Sequence, residues 1–107
     1  DVRFDPPKVR IGGRVVVRLT LRSRARQPQD LLVDLAVHFV KARGRTAPKV
    51  FKVGRLVLPP RGAVELQAGV SLAVHTTRVP RPGTHAVDVV VNGRPLRAGS
   101  FVVTAPG

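Results

Sequence analysis

The chain offers little to a catalyst. Its three imidazoles, His38, His75 and His85, fall in separate segments without His-x-His or His-x3-His spacing, and no cysteine is present to complete a zinc set. Ser23, Ser71 and Ser100 lie within or beside expected strands, and none stands in the Gly-x-Ser-x-Gly turn that would expose a nucleophile. The acids are Asp1, Asp5, Asp30, Asp34, Glu65 and Asp88, and their spacing singles out no pair for acid–base work. Gly12-Gly13-Arg14 precedes a strand rather than a helix and lacks the Gly-x-Gly-x-x-Gly pattern of a phosphate loop. The expectation is a domain with no catalytic residue, no metal and no cofactor.

Binding is another matter. Nineteen Lys and Arg face six Asp and Glu, a net charge of +13. A small domain this basic attracts polyanions, nucleic acid first. Fifteen of the nineteen are Arg, set among abundant Ala, Val, Gly and Pro. That bias is also what a GC-rich genome produces, although it does not explain the scarcity of acids. Single-strand binders stack bases on exposed aromatics. This chain has only Phe4, Phe39, Phe51 and Phe101, and a core claims at least Phe39 and Phe101. Phosphate contact by Arg and Lys remains, which is sequence-independent, salt-sensitive and directed at duplex DNA. From Arg14 to Ala25 the pattern places Val15, Val17, Leu19 and Leu21 on one face and Arg14, Arg18, Arg22, Arg24 and Arg26 on the other. Same-face residues of a strand recur every ~6.6 Å, close to the phosphate repeat of an extended strand. The same row serves equally as a plain solvated face.

The elements that must hold these residues are strands. At 107 residues the chain is long enough for one modest core. No apolar run approaches the ~18–20 residues of a membrane span, and no signal-peptide pattern opens the chain. Without Met, and with Asp at position 1, the chain reads as a domain cut from a longer protein or a matured product, expected to be monomeric. The lack of disulfides leans towards the cytoplasm. Nearly every segment alternates with period two, and turn signals recur every 8–15 residues or so, the rhythm of a sandwich. Strands are expected over Asp1–Asp5, Lys8–Ile11, Arg14–Ala25, Leu31–Lys41, Lys49–Val53, Leu56–Leu58 and Ala63–Ala68, with Val70–Val74 ambiguous. Asn92-Gly93 then joins a last pair of strands as a type I′ hairpin, which sets Val91 opposite Arg94, Val89 opposite Leu96 and Asp88 opposite Arg97. After Leu96 and Ala98, Phe101 and Val103 fall on the opposite parity, so a bulge is expected near Gly99. The fold class is all-β: an immunoglobulin- or fibronectin-III-like antiparallel sandwich of seven or eight strands without a disulfide. Gly83-Thr84-His85-Ala86-Val87 has the spacing of a tyrosine corner, with His85 in the Tyr position and Val87 in that of the second Cys. His85 is therefore expected to bond backbone at the corner.

A series of segments carries a family resemblance: Val33-Asp34, Val37-His38-Phe39-Val40-Lys41-Ala42, Gly44, Pro48-Lys49-Val50-Phe51-Lys52, Thr76-Thr77-Arg78, Pro82-Gly83 with His85, and Val91-Asn92-Gly93. In this order they resemble the C-terminal immunoglobulin-like domain of AlkC-type bacterial DNA alkylation repair proteins. Where that family usually has an aromatic before Pro-Gly, this chain has Arg81. The resemblance implies an N-terminal HEAT-like repeat domain, elsewhere in the same protein, that excises cationic N-alkylated bases and holds the catalytic residues. It also implies that this domain grips double-stranded DNA by its backbone. Lys41, Arg43, Arg45, Lys49, Lys52, Arg78 and Arg81 are then the candidate contacts, since they are expected in loops, and the Arg14–Arg26 row is auxiliary. The competing reading is a fibronectin-like spacer or protein-interaction domain whose Arg content reflects genome composition.

Overall fold

The computed structural model describes residues 1–75 and 79–106 and contains eight strands in two sheets. They are β1 (Val2–Asp5), β2 (Lys8–Arg10), β3 (Arg14–Arg22), β4 (Gln29–Val40), β5 (Thr46–Leu58), β6 (Ala63–Ser71), β7 (Gly83–Val91) and β8 (Arg94–Thr104). The sheets run β1-β3-β6 and β2-β8-β7-β4-β5. All pairings are antiparallel except β2 with β8. The alternating apolar residues do what their period requires. Val15, Val17 and Leu19 from one sheet meet Val33, Leu35, Val37, Val87, Phe101 and Val103 from the other, all buried.

The last hairpin has the register its turn demands. Val91 pairs with Arg94, Val89 with Leu96 and Asp88 with Arg97, and Asn92 and Gly93 both take positive φ, 50° and 80°. Asn92 also ties the hairpin to β4, because Leu32 N donates to its Oδ1 at 2.8 Å. The register slips between Val87 and Asp88, leaving Ala98 as the extra residue beside Gly99. This is the bulge that parity requires, and it returns Phe101 and Val103 to the core. Gly99 has φ 152°, and a Cβ there would stand 2.8 Å from Phe4 Cε2.

Three segments differ from the sequence reading. β5 is one strand of 13 residues rather than two short ones. Its parity break at Val53-Gly54 is a bulge opposite Val33 and Asp34 of an uninterrupted β4. β3 stops at Arg22, where Ser23 turns inward and is buried. The ambiguous Val70–Val74 stretch divides, Val70 and Ser71 closing β6 while Leu72 leaves the ladder and still fills the core.

Candidate nucleic-acid interface

One end of the sandwich gathers charge from segments far apart in sequence. β4 ends at Val40, paired with Thr46, and a single 3-10 turn over Ala42–Gly44 reverses the chain. Arg43 and Gly44 adopt φ 64° and 75°, and Lys41 N donates to the carbonyl oxygen of Arg45 at 2.6 Å. A turn this tight leaves its side chains no interior to enter, so Lys41, Arg43 and Arg45 are all exposed. β7 starts beside it, with Gly83 against Val40, where a Cβ would come within 3.1 Å of Val40 Cγ2. That approach brings Arg81 to the same end. The β2–β3 turn joins them, since Ile11 N bonds Thr104 O and Leu72 N bonds Gly13 O, which adds Arg10 and Arg14. None of the six acids lies in the turns that close this end.

His85 fixes the loop that carries Arg81. Its Nε2 donates to Arg81 O at 3.0 Å, the corner bond expected from its place in the sequence. The ring is fully buried, stacked on Phe101 at 5.4 Å and edge-on to Phe39 at 5.5 Å. Burial pushes the imidazole below its ordinary 6.5, only partly opposed by the Arg81 carbonyl, so the ring is held neutral with its proton on Nε2. Nδ1 is buried with no hydrogen-bond partner. A group so enclosed serves the scaffold, not a ligand.

The remaining candidates are dispersed. Lys49 and Lys52 lie on β5, not in a loop, and project to opposite faces. Lys52 stands across from Asp34 on the outer face, and Lys49 Nζ sits 5.5 Å from the centre of the Phe51 ring. Arg78 lies outside the described residues. Arg14, Arg18 and Arg22 do share the outer face of β3, but sheet order interleaves them with acids. Asp1 and Asp5 flank them from the β1 side and Glu65 from β6, half of the chain's acids. Arg18 donates to Gln67 Oε1 at 2.6 Å and lies 4.0 Å from Asp5. Arg24 and Arg26 leave the row altogether. The Ser23 hydroxyl accepts from Ala25 N and donates to Gln29 Oε1, turning the chain at the far end. Arg61 joins them there, its amide bonded to Ala25 O. The molecule is thus basic at both ends and mixed along its small sheet. Arg10 and Arg61 escaped the sequence reading, because only the assembled topology places them beside other arginines.

A third group lies on the outer face of the large sheet. Asp88 bonds His38 Nε2 through Oδ2 at 2.9 Å and Arg97 Nε through Oδ1 at 2.6 Å. The His38 bond, with Arg97 beside it, holds the carboxyl below the usual carboxylate range against the opposing effect of burial. The hairpin register predicts Arg97, whereas His38 arrives from β4. Among the described residues no three His, Cys, Asp or Glu stand together as a metal site, and no helix is long and apolar enough to cross a membrane. No Phe stands free for a base: Phe4 meets Phe101 at 6.2 Å and Phe51 meets Phe39 at 6.3 Å.

The family model described as "Uncharacterised protein YhaZ, C-terminal Ig-like domain" matches residues 1–105. The chain belongs to this family. Within the YhaZ group, the chain is 28% identical over 93 residues to the uncharacterized protein YhaZ of Bacillus subtilis (strain 168), covering 87% of this chain and 26% of that protein. Among solved structures it is similar to the alkylpurine DNA glycosylase AlkC of Pseudomonas fluorescens, bound to DNA containing an abasic site analog. The TM-score is 0.92 at 34% identity, over 98% of this chain and 29% of AlkC. A beta-glucosidase from Listeria innocua shares the fold alone, with TM-score 0.72 and 14% identity over 96% of this chain and 16% of the enzyme. The chain thus spans less than a third of each of these three proteins. The resemblance read from the sequence holds: this YhaZ-family Ig-like domain is related to AlkC.

Proposed function

We propose that the domain is an accessory DNA-binding module of a bacterial DNA alkylation repair glycosylase, taken from the C-terminal part of a cytoplasmic protein. Catalysis belongs to an N-terminal HEAT-like repeat domain that acts on N-alkylated bases, and this domain adds contacts to the phosphate backbone of double-stranded DNA. The observation that carries the reading is the basic end, whose closing turns carry Lys41, Arg43, Arg45 and Arg81 and no acid, in a chain 34% identical in sequence to part of a DNA-bound glycosylase. Sequence-independent contacts of this kind raise affinity and orient a tethered neighbour without chemistry of their own.

A titration against duplex DNA at several salt concentrations tests it. The expected result is binding whose log K falls linearly with log salt. No binding at low salt would overturn the reading and favour a fibronectin-like spacer, which the acids interleaved with the β3 arginines support.

A further inference from the structure

The two sheets part along the seam between β1 and β8. Near Gly99 the seam is shut by Phe4, which packs over the bulge and against Phe101. Towards the other end it opens into a hollow of about 310 Å³ walled by Val2, Leu19, Leu21, Val91, Leu96 and Ala98, with Asp1 at its rim. Leu96 is 74% exposed. Val2, Leu21, Val91 and Ala98 pack against the core while remaining only partly buried. A sandwich core that stops short of its own wall lacks a piece.

The ladder says which piece. β1 pairs with β3 so that Val2 faces Leu19. The pairing continues through Asp1: Thr20 N donates to Asp1 O at 2.9 Å, and Asp1 N lies 3.4 Å from Thr20 O. One more residue before Asp1 would stand opposite Leu21. Successive side chains alternate across a strand, so that residue would share the face of Val2 and point into the hollow. The family places this domain C-terminally, and the chain spans 26% and 29% of two relatives. In the whole protein, polypeptide therefore arrives at Asp1.

We propose that the residues preceding Asp1 extend β1 along β3, and that the first of them sets an apolar side chain in the hollow between Leu21, Val91 and Leu96. The join to the rest of the protein is then a strand of the sandwich rather than a free linker. This rests on family membership and on the ladder, not on the DNA-binding reading.

The test uses the whole protein in a background freed of other cysteines; this domain contributes none. Leu96→Cys is labelled with a maleimide alongside Val57→Cys, an outer-face position of similar exposure. Local burial slows such labelling, so Leu96→Cys should react on the order of tenfold more slowly than Val57→Cys, with the difference lost in denaturant. Placing Asp at the residue before Asp1 should restore the fast rate. A cysteine placed at that residue should form a disulfide with Leu96→Cys, a readout that stands even if the Asp variant fails to fold. Equal native rates overturn the proposal. So does protection that fades on dilution, which means a second copy covers the seam, and so does protection that survives the Asp substitution.

Discussion

The Nε2 proton of His85 is given to the carbonyl oxygen of Arg81, four residues upstream. One buried bond thereby fixes where β7 begins and where an exposed guanidinium of the basic end is held. Replacing His85 with Phe keeps the stacked ring and removes the bond. The expected cost is about 1–3 kcal/mol of stability, the loss of one partly buried hydrogen bond whose carbonyl acceptor is left unpaired, measured by denaturant unfolding. Weaker DNA binding should accompany it if the loop is a contact.

The same ring makes the fold acid-sensitive. His85 is depressed below its ordinary 6.5 in the folded state, so below 6.5 the unfolded chain takes up a proton that the folded chain refuses. Stability should therefore rise with pH up to about 6.5 and fall as pH drops beneath it. His85→Phe should flatten that limb in a pH series of unfolding curves, and an unchanged slope would assign it to another group.

A second acid limb belongs to Asp88. Its carboxyl is held below 3.8 by His38 and Arg97, so its contribution is present above 3.8 and lost as pH falls through the folded value. Asp88→Asn should remove this limb and loosen the outer face of β7, leaving the His85 limb below 6.5 intact.

Gly99 permits no side chain. Alanine there would need φ 152° and would press on the Phe4 ring. Gly99→Ala should cost at least about 1–3 kcal/mol by strain and overpacking together, seen as a lowered Tm. Phe4→Leu in the same chain should recover part of it.

Charge reversal at the two ends separates a site from diffuse charge. Arg43→Glu with Arg45→Glu should weaken duplex binding several-fold more than Arg24→Glu with Arg26→Glu, and should flatten the salt dependence by about one phosphate contact per residue that had touched DNA. Arg55→Glu should do least. Arg55 is already engaged with Asp30 at 3.0 Å, although both are exposed and a pair of that kind contributes little to stability.

Two glycines show how much of the fold was legible. The parity break before Phe101 and the one before Leu56 look alike in sequence, each beside a glycine, Gly99 and Gly54. The first reads as a bulge because a hairpin turn nearby already fixes its partner. The second reads as a chain break, because nothing local reveals that β4 runs on unbroken opposite it. The candidate site follows the same rule. Period two shows that Arg14, Arg18 and Arg22 share a face, but not that β1 and β6 bring Asp1, Asp5 and Glu65 to it. The basic end is assembled from three segments distant in sequence: Arg81 could be named beforehand beside Lys41, Arg43 and Arg45, but only the topology brings the β2–β3 turn and Arg10 to it.

The molecule measures 48 Å along its longest axis and about 20 Å across. Its acid-free turns lie at one end, and Asp1 sits in the half that leads away from them. Duplex rises ~3.4 Å per base pair, so under the proposed function a contact made by those turns would fall at most about a dozen base pairs from the N-terminal domain. The strands would then act as a gauge: under the proposed function, nuclease footprints of the whole protein should extend beyond the lesion by no more than roughly one helical turn, and shortening β4 and β5 by two residues each should draw that boundary inwards.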